Sequence, residues 1–340
     1  MKKLLYALLL PIYCLAQVPQ YYSTVNFSLT GSELKEELAE LITETHIYEL
    51  IYTPDVWNVI KQGDLDPENT NNVLLLYGYN NNDGNAMTDR TRDKDLSCHT
   101  LNCTGLWVRE HTYPRSLGNP NLEYTGPGSD AHHLRAIDSQ MNSSRSNRRF
   151  TQGSGNAGIV NGFFYPGDEW KGDVARMMMY MYLRYQSQCL ATVVGTGSTT
   201  YSMDMPDIFL EWNEQDPVSQ YELNRNNAIE SMQGNRNPFI DNPYLATVIW
   251  GGPEAEDTWD ILFTPNVQAE HYNVYPTLTT GKIFIDSNTA HSFTIYNSLG
   301  QKIKFDREEN CADLTGNTPG IYFVNIQSNT ASSTVKIILR

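Results

Sequence analysis

Arg109-Glu110-His111-Thr112-Tyr113-Pro114-Arg115-Ser116 is the stretch on which the reading of this chain turns. It is answered by Asp130-Ala131-His132-His133-Leu134 and then by Asn142-Ser143-Ser144-Arg145-Ser146-Asn147. A carboxylate, several imidazoles, a carboxamide and a set of guanidinium groups fall within one short span. Taken singly, each would be an ordinary surface, capping or core residue. Together they are the parts needed to hold a divalent cation, activate a water and grip a phosphate.

The local pattern places them. Leu106-Trp107-Val108 reads as a strand entering Glu110 and His111. Neighbours on a regular strand point to opposite faces, so for both to serve one site the pleat must break there. Pro114 supports a break, because it restricts Tyr113 and cannot donate to a ladder. His132-His133-Leu134 reads as a second strand, on which the two imidazoles alternate. Asp138 or Ser139 is placed to cap a helix carrying Asn142 and Arg145, which sit three apart and share a face.

Outward from this span, Glu33 to Thr45 has leucines at helical spacing, with Ser32 as N-cap. Tyr52 to Lys61 reads as a second short helix, and Val73 to Tyr77 as a buried strand. Asn80 to Asn85 is turn chemistry. A helix opened by Asp168 runs to about Cys189, and its methionines are core filler. Phe209 to Trp212 and Tyr221 to Met232 read as further helices. Gln233 to Asp241 is a polar loop, with Arg236 and Asn237 tying it down. After Pro253 the character changes to short alternating strands: Lys282 to Asp286, Ser292 to Asn297, Gly320 to Gln327 and Ser333 to Leu339. This pattern predicts a small β-sandwich.

The N-terminus reads as a secretory signal: Lys2-Lys3, the apolar run Leu4 to Leu10, Pro11, then Leu15-Ala16, with cleavage after Ala16. The run is too short to span a bilayer, and no later segment reads as transmembrane. Tyr13 before Cys14 is too large for a lipoprotein signal. In an oxidising compartment Cys98 and Cys103 are a plausible disulfide. Cys189 and Cys311 fall in different domains. The net charge of −15 argues against a nucleic-acid binder on its face. Yet residues 109–149 hold Arg109, Arg115, Arg135, Arg145, Arg148 and Arg149 against Glu110, Glu123, Asp130 and Asp138. A local basic cleft on an acidic body can still grip phosphate.

In this order the three motifs resemble the bacterial endonuclease I family, secreted or periplasmic nucleases built around a ββα-metal motif. Lys171-Gly172-Asp173-Val174-Ala175-Arg176 and Gly234-Asn235-Arg236-Asn237-Pro238-Phe239-Ile240-Asp241 are similar to segments of that family. The resemblance implies an α+β fold: a ββα-metal core in a mainly helical domain (residues 17–265), with the β-sandwich at residues 271–340. It implies His111 as general base and Glu110 with Asn142 as ligands of one Mg²⁺, for which Mn²⁺ or Ca²⁺ can substitute in binding. Two oxygen donors suit that hard cation better than zinc. Arg145 is the candidate for the scissile phosphate, with Arg109, Arg115 and Arg148 for backbone phosphates. Asp130, His132 and His133 are read as support behind the site. The implied activity is sequence-nonspecific cleavage of DNA, with RNA as a further substrate, leaving 5′-phosphate and 3′-hydroxyl ends. The alternative is a non-catalytic extracellular protein that binds nucleic acid or polysaccharide.

Tyr275-Pro276, Gly281-Lys282, Tyr296 to Gln301, Gly320 to Phe323 and Lys336 to Arg340 resemble the C-terminal sorting domain of the type IX secretion system. That implies an address read by export machinery and a secreted or surface location. A carbohydrate- or surface-binding β-module is the alternative for these strands.

Overall fold

The computed structural model describes residues 18–100, 102–259, 273–286, 292–308, 310–327 and 332–340. The signal segment 1–16 and the junction at 265–271 lie outside them. The chain divides into two compact units, Met1–Ile261 and Leu262–Arg340.

In the first unit, helices α1 (Gly31–Glu44) and α2 (Asp55–Gly63) precede a small antiparallel sheet of β1 (Leu65–Asp66), β2 (Asn69–Leu74) and β3 (Thr91–Asp93). An antiparallel pair follows, β4 (Trp107–His111) and β5 (Leu134–Asp138), and it runs directly into α3 (Ser139–Arg145). After a second two-stranded pair, β6 (Gly158–Val160) and β7 (Phe163–Tyr165), the rest is helical. It comprises α4 (Lys171–Tyr185), α5 (Ala191–Val194), α6 (Asp207–Gln215), α7 (Gln220–Gln233), α8 (Pro238–Asp241) and α9 (Tyr244–Trp250).

Helix α1 buries Leu34, Leu38, Leu41 and Ile42, the stripe that its spacing predicts. Its N-cap is Thr30 rather than Ser32, because the helix begins one residue before that serine. Helix α4 is buried along nearly its whole length, and Met177, Met178, Met179 and Met181 fill the core. The run Val73 to Tyr77 is buried, but strand pairing stops at Leu74. Leu75 N–H then bonds Arg90 O, and Leu76 N–H bonds Ala136 O (2.8 Å each). The apolar run therefore carries the chain from the small sheet onto β5. Tyr77 then turns it away in left-handed backbone at φ 69°.

An apolar cluster including Trp57, Ile60, Val73, Leu75, Trp107, Leu134 and Ile229 packs beneath the β4–β5 pair. Buried ion pairs run through the same unit. Asp64 receives Arg225 Nε at 2.8 Å, Arg135 Nε at 3.4 Å and the main-chain N–H of Ala136 at 2.6 Å. Arg135 also meets Asp173 at 3.0 Å, and Arg176 forks onto Glu222 at 2.7 and 2.8 Å. The loop Gln233 to Asp241 is tied down as expected. The Arg236 guanidinium grips Asp241 and Glu230, and Asn237 bonds Phe239 N–H and Arg176 O. The last residues of that loop form α8 rather than irregular chain.

Cys98 and Cys103 form a disulfide. Cys103 O accepts from Ser139 Oγ at 2.6 Å, so the bridged loop holds the first residue of α3. Cys189 and Cys311 are free, one in each unit.

The second unit is two four-stranded sheets. One has the order β12 (Asp306–Glu308), β13 (Cys311–Asp313), β10 (Lys282–Asp286), β8 (Asn273–Tyr275). The other has the order β11 (Ser292–Asn297), β14 (Gly320–Gln327), β15 (Ser332–Leu339), β9 (Leu278–Thr279). Ile283 and Ile285 from the first sheet and Ile295, Val324, Ile326 and Ile337 from the second share one core. The unit is a small β-sandwich. The four strands expected from alternation are all present. Among the described residues, no helix is long and apolar enough to cross a membrane.

Candidate active site

Strand β4 keeps regular pairing through both chemical residues: Glu110 lies opposite Arg135, and His111 opposite Leu134. The pleat does not break between them. The strand ends at His111, and Thr112 still bonds His133 O at 3.0 Å. A cleft at this strand end is lined by Arg109, Glu110, His111, Pro114, Arg115, Ser116, Asn142, Arg145, Ser146 and Asn147. It opens where the strand stops, and so takes in residues from both of its faces.

Asp138 caps α3, accepting from Gln140 N–H at 2.7 Å and Met141 N–H at 3.0 Å. This aims Asn142 and Arg145 at the cleft. Glu110 forms its floor and is only 3 % exposed. Burial pushes its carboxyl up to about 7, with the Arg145 cation pulling the other way. Arg145 Nε stands 3.3 Å from Glu110 Oε1, and that oxygen has no hydrogen-bond partner. Arg145 itself is 1 % exposed and spends its donors on Thr112 O (2.6 Å) and Ser146 O (2.9 Å). Its geometry braces the floor beneath Glu110.

His111 is half-buried. Its Nε2 is 2.9 Å from Gly128 O. A carbonyl only accepts, so Nε2 carries the proton and Nδ1 holds the free lone pair. Burial, followed by the neighbouring His133, pushes the imidazole down to about 3. The ring is neutral across the physiological range. Tyr52 stacks on it at 5.4 Å and 19°.

His132 and His133 do not lie on a strand. They end a 3-10 turn, Ala131–His133, capped by Asp130, whose Oδ1 accepts His132 N–H at 2.9 Å; β5 starts only at Leu134. The alternation expected of two strand neighbours therefore does not apply. His133 faces His111, with rings 5.5 Å apart, and its Nε2 bonds Pro127 O at 2.7 Å. His132 is turned into the core against Tyr180 and bonds Asn235 O at 3.2 Å. Asp130 is a buried junction for Tyr180, Tyr185 and Gln233, each within 2.9 Å.

Arg109 and Arg115 line the cleft, each backed by aromatic rings. Arg148 is off the cleft wall, its Nη1 bonded to Ser144 O at 2.6 Å. Sequence reasoning missed the 3-10 turn Gly126–Gly128, which supplies the acceptors for both His111 and His133. A Cβ on Gly128 would sit 1.5 Å from Glu123 O, so only glycine fits there. The signal was the Gly-Pro-Gly tripeptide itself, between the two motifs.

Among the described residues, no three His, Cys, Asp or Glu side chains gather to hold a metal ion. What the cleft does offer a cation is the buried Glu110 carboxylate with its unpartnered oxygen, beside the Asn142 carboxamide.

The family model described as Endonuclease I matches residues 30–244. The model described as Secretion system C-terminal sorting domain matches residues 273–340. The extracellular ribonuclease of Bacillus subtilis (strain 168) is 40 % identical over 234 residues, covering 65 % of this chain and 75 % of that protein. The extracellular ribonuclease of Bacillus amyloliquefaciens is 40 % identical over 248 residues, covering 69 % and 79 %. The sorting domain, taken with these extracellular relatives, makes the protein a secreted or cell-surface one.

Proposed function

We propose that this chain, which belongs to the endonuclease I family, is a secreted Mg²⁺-dependent nuclease that hydrolyses phosphodiester bonds in DNA or RNA with His111 as general base. The observation that carries this reading is the fixed tautomer of His111. Its Nε2–H is committed to Gly128 O, and its Nδ1 is the lone pair left to take a proton, in a ring that lines the cleft with Glu110 and Asn142.

In this reading His111 Nδ1 removes a proton from a water as the water oxygen attacks phosphorus in line. Burial keeps the imidazole unprotonated at neutral pH, which leaves the Nδ1 lone pair free while making it a weaker base than an exposed histidine. Tyr52 and Gly128 hold the ring so that the proton leaves along one direction. Glu110 and Asn142 would hold the Mg²⁺, which when bound supplies charge neutralisation at the scissile phosphate and the leaving alkoxide. Arg145 keeps the Glu110 carboxylate aimed upward from the floor. Arg109 and Arg115 grip phosphates that carry no base identity, which accounts for weak sequence preference. The C-terminal sandwich takes no part in hydrolysis and serves type IX export, so a chain ending at residue 265 keeps its activity.

The test is plasmid cleavage by the purified protein. Wild type should cut with Mg²⁺ and stop in excess chelator. His111→Ala should fall by roughly 10²–10⁴-fold while its circular dichroism stays native. Wild-type rates in His111→Ala, or full activity after metal stripping, would rule the mechanism out.

A further inference from the structure

Beside the cleft arginines runs a file of aromatic rings, of which Tyr124 has no part in the hydrolysis described above. Arg115 lies over the Tyr124 ring, its Cζ 3.8 Å from the centroid. Tyr124 meets Tyr52 at 4.8 Å, tilted by 45°. The Arg109 guanidinium packs between Tyr52 and Trp57, 3.6 and 4.2 Å from their centroids. Planar cations that line the cleft and the aromatic rings that back them thus follow one another. The stack reaches the catalytic imidazole through the contact of Tyr52 with His111.

The members of this file differ in what they leave open. Tyr52 already carries His111 and Arg109, and Trp57 is 7 % exposed. Neither has room for another ring. Tyr124 carries Arg115 on one face and meets Tyr52 at a tilt, yet it is 52 % exposed, so it is the ring of the stack with the most surface left to a ligand. Its guanidinium neighbour is held in place by Arg115 Nε donating to Leu122 O at 2.7 Å. Glu123 is 3.8 Å from Arg115 and points into solvent, so it screens that cation only weakly.

An exposed aromatic ring beside arginines that line a cleft is the combination that binds single-stranded nucleic acid: cations for phosphates, and a ring for an unpaired base. A base inside a duplex is stacked and paired and has no free face to offer. We propose that Tyr124 is a stacking subsite for an unpaired base beside the scissile position, with phosphate contacts at Arg109 and Arg115. The subsite makes single-stranded nucleic acid, or unpaired segments of longer strands, the preferred substrate class. The inference rests on the nuclease reading above, but its binding half can be tested without turnover.

The experiment uses fluorescence anisotropy with the full mature chain carrying His111→Ala, in chelator, so that strands stay whole. The probes are a labelled single-stranded oligonucleotide and an equal-length phosphodiester strand without bases. The base-bearing strand should bind more tightly by roughly 5- to 100-fold. Adding Tyr124→Ala should erase that margin and leave the affinity for the baseless strand within about twofold, since the phosphate contacts remain. Adding Tyr124→Phe, which keeps the ring, should preserve the margin. Equal binding of the two probes by the parent, or a margin that survives Tyr124→Ala, overturns the subsite. Cleavage in Mg²⁺ by protein with native His111 is scored separately. A base-dependent margin without cleavage would sink hydrolysis and keep the subsite; cleavage without the margin would do the reverse.

Discussion

The two units of this chain solve burial in opposite ways. The C-terminal sandwich has a core of aliphatic and aromatic side chains from two sheets. The N-terminal unit threads charge through its interior: Asp64 with Arg225 and Arg135, Arg176 with Glu222, Arg92 with Asp138, and Glu110 with Arg145. An apolar core needs only shape and volume. A charged one needs every partner in place, because a lone buried ion costs far more than a pair gains. The sandwich can therefore tolerate repacking, while the unit that carries the cleft must hold one geometry.

Asp64→Ala puts the most strain on this contrast. It leaves two buried guanidiniums and the Ala136 N–H without their shared acceptor, and should cost about 3–5 kcal/mol. Denaturant unfolding followed by tryptophan fluorescence reads it. A loss under 1 kcal/mol would mean that the network is dispensable. In the sandwich, Ile295→Ala removes a fully buried side chain and should cost about 2–5 kcal/mol. Plasmid cleavage should not change, while export in the native host should fall. Impaired cleavage would mean that the two units depend on each other for function.

Gly128→Ala sharpens the comparison within the first unit, where position matters more than volume. One added methyl forces the turn away from Glu123 and shifts the acceptor of His111. A displacement of this kind should lower kcat by about 10²-fold with much of the fold intact by circular dichroism. An unchanged kcat would show that the carbonyl does not hold the base.

The smallest expected effect is acid sensitivity at Asp204. Burial opposes its charge, but hydrogen bonds from Lys35, Ser202 and Tyr182 outweigh that and hold it at about 2. A lowered carboxyl stabilises the fold above its unfolded value of about 3.9 and loses that contribution as pH falls towards 2. Asp204→Asn should therefore lower Tm slightly at pH 6 and converge with wild type by pH 2. Equal melting at both values would show that the ion pair contributes nothing.

The same contrast governs what could be read from the chain. Strand alternation gave Lys282–Asp286, Ser292–Asn297 and their partners, because an apolar core writes its periodicity into sequence. Helix α1 was legible for that reason as well, and side-chain chemistry narrowed the cap of α3 to Asp138 or Ser139, of which Asp138 fills the place. What was not legible lay where polar contacts override local pattern. His132 and His133 read as strand, but the Asp130 side chain draws them into a tight turn. Arg145 does reach the cleft face beside Asn142, but its bonds to Thr112 O and its ion pair with Glu110 come from residues more than thirty positions away, which spacing along the helix could not show. The Gly128 carbonyl could not be found, because a main-chain atom leaves no residue type to recognise.

That turn, Gly126–Gly128, has no proton to lose. A histidine steered by a carboxylate loses its guide when acid neutralises the guide, so two equilibria become entangled. Peptide carbonyls keep the same dipole from acid to alkali. The orientation of His111 is thereby set by covalent chain geometry instead of by a second ionisable group. Burial and the neighbouring His133 lower the protonation of the ring itself, and the carbonyl that orients it adds no titration of its own.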